Sequence, residues 1–228
     1  MVNQKYLITD PDILKEGGLK SLGNAQNHSD ASDTLSKNKQ YGLATSHLIL
    51  AAEEAIKAYE LLAISAIGNK NEDNLKVLFR DHNVKLGLVQ SLVVLDLLFG
   101  RITEALLWQF EYTEGKPTKE EYAAMKKIQE QKTEKLKEWL ITQMEDDSEV
   151  AVHADWWRNA NKLKKEGFYV DFDGSKWRSP KSFSKKDYKK AHKHVNYLID
   201  KVQNLKSNFL ENPEIFQNVY SKYLKSLS

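Results

Sequence analysis

Two stretches of this sequence place acidic and basic side chains at helical spacing. In the first, Ala51–Lys57, Glu53 and Glu54 lie among alanines, and Glu54 comes three residues before Lys57, which puts both on one helix face. Carboxylates in an apolar helix are costly unless they are solvated or paired. Two arrangements stay open: Glu53 faces water while Glu54 pairs with Lys57, or Glu54 meets a partner on another helix.

That partner is expected in the second stretch, Phe79 to Lys85. Phe79, His82 and Lys85 follow one another at three-residue steps and therefore share one side of a helix. We expect His82 to be partly buried beside Phe79 and to hydrogen-bond Glu54 if the two helices are neighbours. Glu, His and Lys together can form an acid/base set. They can equally form a satisfied polar pair inside a helical bundle.

A third stretch combines arginine with aromatic side chains. Trp156, Trp157 and Arg158 precede the segment Gly167–Phe172, which contains Tyr169. An arginine beside aromatic rings can stack on bases or grip phosphate. It can equally anchor a loop through a bidentate pair with a carboxylate.

Several other chemistries are excluded by motif and composition. The chain has no cysteine, no glycine-rich nucleotide motif and no GxSxG motif. His192 and His194 are two residues apart, which is the wrong spacing for one helix face. We therefore expect neither a metal site nor a cofactor.

The positions of apolar and capping residues predict an all-α fold, an up-and-down bundle of roughly five to seven helices with one short strand-like loop near 168–173. We expect a single domain over residues 1–228, with a charged, peripheral helical insert at about 118–145. Asp10-Pro11 is typical of a helix start, Gly68-Asn69 of a helix end and Ser184 of an N-cap. The predicted helices run from about Pro11 to Lys37, Lys39 to Ile67, Glu72 to Phe99 or beyond, Lys119 to Glu145, Asp147 or Ser148 to Glu166, Ser184 to Asn212, and Ile215 to Leu227.

Charge and hydropathy indicate the surroundings in which the chain works. The N-terminus lacks the apolar core of a signal peptide, and the longest apolar stretch, Leu86–Phe99, is shorter than a membrane span. The cytoplasm is the expected compartment. The net charge is only +2, but lysines dominate from Lys162 to Lys206. This region could attract phosphate or simply form a solvated face.

Taken together, the three stretches resemble the AbiV family of abortive-infection proteins. Members carry an A-x-E-E-x-x-K-type helix, an F-x-x-H-x-x-K helix, and a late Arg followed by a G-[LF]-Y-V-D-[FY] loop with a nearby Trp and Pro. The matching segments are Ala51–Lys57, Phe79–Lys85, and Arg158 with Gly167–Phe172, completed by Trp177 and Pro180. The resemblance covers about Leu14 to Tyr197.

The resemblance implies a HEPN-like fold, whose members are often dimeric toxins or ribonucleases of defence systems. It implies a cytoplasmic bacterial protein that aborts phage infection; the family's type member is associated with binding a phage protein and with loss of protein synthesis. Ribonucleolytic HEPN proteins usually carry Arg-x(4–6)-His. Residues 159–165, which follow Arg158, contain no histidine.

Three hypotheses follow. The preferred one is a phage-defence effector that blocks translation. Its expected partners are a phage protein and, in addition, RNA or the translation machinery, and no contact with a membrane is expected. Its polar network would comprise Glu53, Glu54, Lys57, His82, Lys85, Arg158, Tyr169 and Asp171. The alternative is a metal-independent ribonuclease toxin with a site built from Glu54, His82 and Arg158. The third is a scaffold that assembles as a homodimer through Leu86–Phe99.

Overall fold

The computed structural model describes residues 10–67, 78–107, 148–172 and 174–211, with a few isolated positions between and after them, and it shows mostly helix. The elements of these ranges are α1 (Pro11–Lys37), α2 (Tyr41–Ile67), α3 (His82–Leu107), α4 (Glu149–Phe168), β1 (Asp171–Phe172), β2 (Trp177–Arg178), a 3-10 turn (Pro180–Ser182) and α5 (Lys185–Glu211). The predicted all-α fold with one short strand-like loop is confirmed.

Helix α1 begins where the sequence predicts it. The Asp10 carboxylate accepts hydrogen bonds from the backbone N–H groups of Asp12 (2.9 Å) and Ile13 (3.4 Å), and Pro11 takes the first helical position. Proline is favoured there because its missing N–H would have no partner within the helix. The helix ends at Lys37, and Lys39 adopts a left-handed φ of 60° in the turn to α2.

Helix α2 is the centre of the fold and packs against both α1 and α5. Its buried residues therefore occupy most of its circumference, and few of its side chains reach solvent. Small residues let α1 come close: the Ser32 hydroxyl donates to the Ala44 carbonyl at 2.8 Å, and a Cβ on Gly18 would lie 2.7 Å from Leu62.

The predicted continuous helix from Glu72 to Phe99 needs a correction. Leu78–Arg80 is helical, but Asp81 interrupts the helix and caps a new one, α3. The Asp81 carboxylate accepts from the N–H groups of Asn83 (2.8 Å) and Val84 (3.3 Å), which satisfies two donors at the helix start. His82 is thus the first residue of α3. Residues 71–77 lie outside the described part of the chain.

Helix α4 continues past its predicted end. Gly167 lies inside the helix, which runs to Phe168, and Ser148 caps the start by accepting from the Ala151 N–H at 3.1 Å. An antiparallel ribbon follows, with Phe172 opposite Trp177 and Gly174 at a φ of 91° between the strands. The predicted cap of α5 is confirmed, because Ser184 and Asp187 exchange side-chain and backbone hydrogen bonds. These bonds lower the pKa of the Asp187 carboxyl.

The chain divides into two compact units, one formed by Met1–Val89 with Arg158–Ser228 and the other by Gln90–Trp157. Within the second unit, the rings of Trp156 and Trp157 meet edge to face at 4.6 Å. The single domain with an insert at 118–145 stays a prediction, since most of that segment lies outside the described residues. The positions that are described there are helical and exposed: Lys127, Gln131, Glu134, Lys135, Glu138 and Thr142. The predicted helix from Ile215 to Leu227 also lies almost wholly outside.

Two further expectations concern the apolar helices. No helix in the described ranges is both long and apolar enough to cross a bilayer. Leu86, Val89 and Val93 are buried within a single copy of the chain, so these side chains are not available to a homodimer interface. The homodimer itself stays a prediction.

Candidate functional site

One buried carboxylate gathers basic side chains from two other helices. Glu53 on α2 is only 1% exposed. Its Oε1 accepts a hydrogen bond from Lys164 Nζ on α4, and its Oε2 contacts His82 Nδ1 on α3. Lys85 Nζ lies 3.4 Å from the same Oε2. We call these four residues the Glu53 cluster, and all four lie in the first compact unit.

The start of α3 brings two of the cluster's residues to Glu53. The Asp81 cap fixes where the helix begins, and His82 and Lys85 then project from positions three residues apart, on one side of the helix. The predicted pairing of His82 with Glu54 is therefore corrected: its partner is the neighbouring carboxylate, Glu53.

Close packing of α4 on α2 positions Lys164. The Ser46 hydroxyl donates to the Lys164 carbonyl at 2.8 Å. Gly167, one turn further, leaves no room for a side chain, since a Cβ there would lie 2.2 Å from Ser46 Oγ and 2.4 Å from the Gly42 carbonyl oxygen. Because the residues at this crossing are glycine and serine, the backbones of α2 and α4 can approach closely. Lys164 Nζ therefore comes within hydrogen-bonding distance of Glu53.

The Glu53 cluster carries more positive than negative charge. Lys85 and Lys164 are both buried, at 5% and 6% exposure, and they face a single carboxylate. Burying a charge costs several kcal/mol per ion unless the charge is paired. The two buried lysines therefore depend on the Glu53 carboxylate for their stability in the fold. The surplus positive charge remains after this pairing, and His82 adds to it whenever it is protonated.

A cleft of about 560 Å³ opens beside the cluster. His82 lines it, and 54% of its side chain is exposed. Asn161 and Asn83 join the walls through a 2.6 Å hydrogen bond between their side chains. The other lining residues are Leu50, Arg80, Asp81, Lys164, Lys165, Phe168 and Tyr169. Most of the charged groups in this wall are basic, which suits an anionic or acidic ligand.

The tautomer of His82 decides what it can offer the cleft. If Nδ1 carries the proton, it donates to Glu53 and leaves Nε2 as a hydrogen-bond acceptor in the neutral ring. A carboxylate behind an imidazole fixes ring and tautomer in this way in many acid/base sites. The arrangement can therefore accept a proton from a ligand or bind one by hydrogen bonding.

Glu54 has a separate environment. It forms the predicted pair with Lys57, whose Nζ lies 2.6 Å away and 5.9 Å from the centre of the Phe79 ring. The alternative in which Glu53 faces water while Glu54 makes this pair is thus half right: Glu53 is buried.

A pair of histidines lies near these carboxylates. The Nδ1 atoms of His28 and His47 are 3.2 Å apart, and the His47 ring also contacts Phe168. Burial lowers the pKa of His28, although the charges of Glu54 and Glu53 act in the opposite direction. Burial, followed by the neighbouring His28, lowers the pKa of His47. Burial thus favours the neutral form of both rings.

The other predicted site residues are dispersed. Arg158 is exposed on α4 and does not line the cleft. Tyr169 does line it, whereas Asp171 lies in β1 and lines a second, smaller depression with Lys162 and Arg178. The structure thus brings Glu53, His82, Lys85 and Tyr169 to one place, and Glu54, Lys57, Arg158 and Asp171 to others.

Sequence reasoning missed Lys164 and Asn161. A signal for Lys164 exists: it lies seven residues after Trp157 and four after Ala160, on the buried side of α4. A lysine on an apolar helix face predicts a buried partner. In the described ranges no group of three or more His, Asp or Glu side chains is placed to hold a metal ion.

Comparison with known proteins identifies the family of this chain. The family model described as AbiV, of the HEPN group, matches residues 13–200. Comparison with curated proteins found no match. Comparison with solved structures found none either.

Proposed function

This chain belongs to the AbiV family of HEPN-like proteins, and we propose that it is an abortive-infection effector that binds a phage or host component and blocks translation in infected cells. Family membership indicates the role in phage defence. Binding, the block of translation and action in the cytoplasm are the proposal. The partners are also part of the proposal: a phage protein and, in addition, RNA or the translation machinery.

The observation that supports a binding function is the set of side chains that line the cleft. Cleavage by general acid/base catalysis uses a group that removes a proton and a group that supplies one. Of the described residues that line the cleft, His82 is suited to that work, while the Asp81 carboxylate is engaged as a helix cap. Glu53 is buried behind His82 and held by two lysines. Among the described residues that line the cleft, no second histidine and no carboxylate other than the helix-capping Asp81 can complete an acid/base pair with His82, which favours binding over hydrolysis.

The first experiment measures plaquing by a phage panel on bacteria with and without the gene, together with RNA integrity and protein synthesis during infection. We expect fewer plaques, a halt in the incorporation of labelled amino acids, and intact ribosomal and transfer RNA. If plaquing falls while translation continues until lysis, the block of translation is refuted.

A ribonuclease is the second candidate, and the exposure of His82 favours it. Glu53 orients the imidazole, and Arg80 and Lys165 line the same cleft, where they could stabilise the charge of a cleaved phosphodiester. In this mechanism, His82 would exchange a proton with the RNA 2′-hydroxyl or the leaving oxygen. Cleaved RNA in arrested cells would support it.

Replacing His82 separates the two candidates. The amide of His82→Asn can still donate to Glu53 but cannot transfer a proton near neutral pH, whereas His82→Ala can do neither. The binding function predicts that His82→Asn keeps most of the protection and that His82→Ala loses protection and thermal stability together. The ribonuclease predicts that both lose protection. His192→Ala on α5 is the control, since His192 does not line the cleft.

A further inference from the structure

The ribbon after α4 carries apolar side chains outward. Trp177 is 73% exposed and Phe172 50%, and Tyr169 and Val170 are each 65% exposed. Phe172 and Trp177 are opposite each other in the strand register, and their ring centres are 5.3 Å apart. We call Tyr169, Val170, Phe172 and Trp177 the hairpin surface. Scattered exposed apolar residues need no explanation, but two on one short ribbon and two directly before it indicate an interaction site.

The ribbon is held in place, although its strands are only two residues long. Strands this short are not stable alone. Arg178 NH1 lies 3.5 Å from the Glu166 carboxylate on α4, which ties β2 to the helix. Behind it, Pro180 packs so tightly on α2 that a Cβ on Gly42 would lie 2.3 Å from the Pro180 carbonyl oxygen. A surface fixed in this way loses little conformational entropy when a partner binds.

A groove of about 650 Å³ adjoins the hairpin surface and shares Val170 with it. Leu43 and Pro180 contribute to its lining, and Lys39 and Lys181 lie at its edges. The exposed rings lie beside a concave apolar groove. A partner protein can accommodate the rings in a pocket of its own and place a side chain in the groove. Tryptophan and tyrosine are the residues most enriched at the energetic centres of such interfaces.

The charges around the hairpin surface select the partner. Five exposed lysines lie beside it: two line the depression that contains Asp171, two line the groove that contains Val170, and one precedes Trp177, namely Lys162, Lys165, Lys39, Lys181 and Lys176. Among the carboxylates, Glu166 is paired with Arg178, while Asp171 is exposed on β1. With Asp171 and, from the sequence, Asp173 set against five lysines, the rim is still basic and complements an acidic surface. A second copy of the chain fits poorly, because a two-fold interface would bring the same lysines face to face.

The ring geometry argues against one mode of nucleic-acid binding, the insertion of a base between Phe172 and Trp177. A base inserted between two rings would hold them roughly 6.8 Å apart and parallel, since stacked planes are separated by about 3.4 Å. Phe172 and Trp177 are already in contact and inclined at 51°, which leaves no gap for a base. Val170 adds apolar area without a ring on which a base could stack.

We propose that the hairpin surface docks onto an acidic protein, seating Phe172 and Trp177 in an apolar depression whose border carries carboxylates. The proposal rests on the binding function proposed above and names the surface that performs it.

The experiment places the photo-reactive residue p-benzoylphenylalanine at position 177 or, as a control, at position 13, since Ile13 on α1 is 52% exposed and far along the chain from the ribbon. Infected and uninfected cells are irradiated, and the adducts are identified by mass spectrometry. We expect one acidic protein to be joined at position 177 and not at position 13. Once purified, that protein should bind the chain with an affinity that falls as salt is raised.

Charge reversal tests the rim. Lys176→Glu with Lys181→Glu should reduce the adduct at position 177 at least tenfold, whereas Lys189→Glu with Lys190→Glu, an equal charge change at exposed positions of α5, should leave it unchanged. RNA or a second copy of this chain joined at position 177 would overturn the proposal, as would yields equal to those at position 13. Plaquing on the wild-type gene is scored separately. Protection without the adduct refutes only the docking surface, and the adduct without protection refutes only the defence function.

Discussion

The Glu53 cluster and the hairpin surface depart in opposite ways from the usual distribution of residues. In the cluster, a carboxylate and two lysines are buried within the helices, and on the ribbon, a tryptophan and a phenylalanine face solvent. Both regions are connected to α4. The Glu53 cluster includes Lys164, near the end of this helix, and the ribbon directly follows the helix in the chain. The buried charges depend on each other for their stability, whereas the exposed rings contribute little to the fold. Substitutions should therefore affect folding in the first region and only function in the second.

The largest effect is expected at Glu53. Glu53→Gln removes the negative charge that two buried lysines share, and we expect the free energy of unfolding to fall by about 3–5 kcal/mol. Glu54→Gln is the matched control on the same helix and should cost less, because Glu54 pairs with the single lysine Lys57 and both side chains keep 16% exposure. Urea unfolding followed by circular dichroism measures both.

The surplus of positive charge sharpens this prediction. Lys164→Met leaves Glu53 paired with Lys85 and removes one unbalanced charge, so it should cost less than Glu53→Gln. If the lysine variant proves the more damaging of the two, the charge balance assigned to the cluster is wrong.

The next largest effect is expected at the crossing of α2 and α4. Gly167→Ala places a Cβ 2.2 Å from Ser46 Oγ, so the helices must separate, and Lys164 moves away from Glu53. Overpacking of this kind costs about 1–3 kcal/mol. Gly87→Ala is the control, because nothing lies within 4 Å of its Cβ, and it should stabilise α3 by up to about 1 kcal/mol. Equal thermal shifts in the two variants would contradict the tight crossing.

The elements of the fold were accessible from sequence because their signals are local. Asp10-Pro11 and Ser184 marked helix starts through capping, which depends on residues one to three positions away. Asp81 could have been read in the same way, but the apolar pattern on both sides of it favoured one continuous helix. Gly167 predicts an end of α4 at Glu166, but the helix runs to Phe168, because this glycine allows close packing on α2 and does not end the helix.

The site was harder to predict because it depends on which helices are neighbours. Helix α2 is buried nearly all round, so periodicity could not decide whether Glu53 or Glu54 points inward. The spacing of His82 and Lys85 predicts that they share one helix face, whereas Lys164 is one of many lysines in a basic segment. Only the packing of α4 on α2 shows that this lysine is buried.

A smaller effect is expected from pH, through the two partly buried histidines near the Glu53 cluster. The pKa values of His28 and His47 are lowered in the folded chain from the ordinary value of 6.5. As the pH falls below about 6.5, the unfolded chain therefore binds protons that the folded chain does not, and the free energy of unfolding decreases. Unfolding at pH 7.5 and 5.5 should show this loss, and His28→Gln with His47→Gln should reduce it. An unchanged loss in the double variant would assign the acid sensitivity to other groups.

The smallest effect on folding, and the sharpest contrast with Glu53, is expected on the ribbon. Phe172→Ser with Trp177→Ser removes one ring contact between exposed side chains, so the free energy of unfolding should change by less than about 1 kcal/mol. Ile13→Ser is the control for loss of an exposed apolar side chain. If the hairpin surface binds the partner, the ribbon variant loses phage protection at unchanged thermal stability, whereas Glu53→Gln loses both together. A ribbon variant that unfolds several degrees earlier than the wild type would show that the exposed rings support the fold, and the contrast between the two regions would no longer hold.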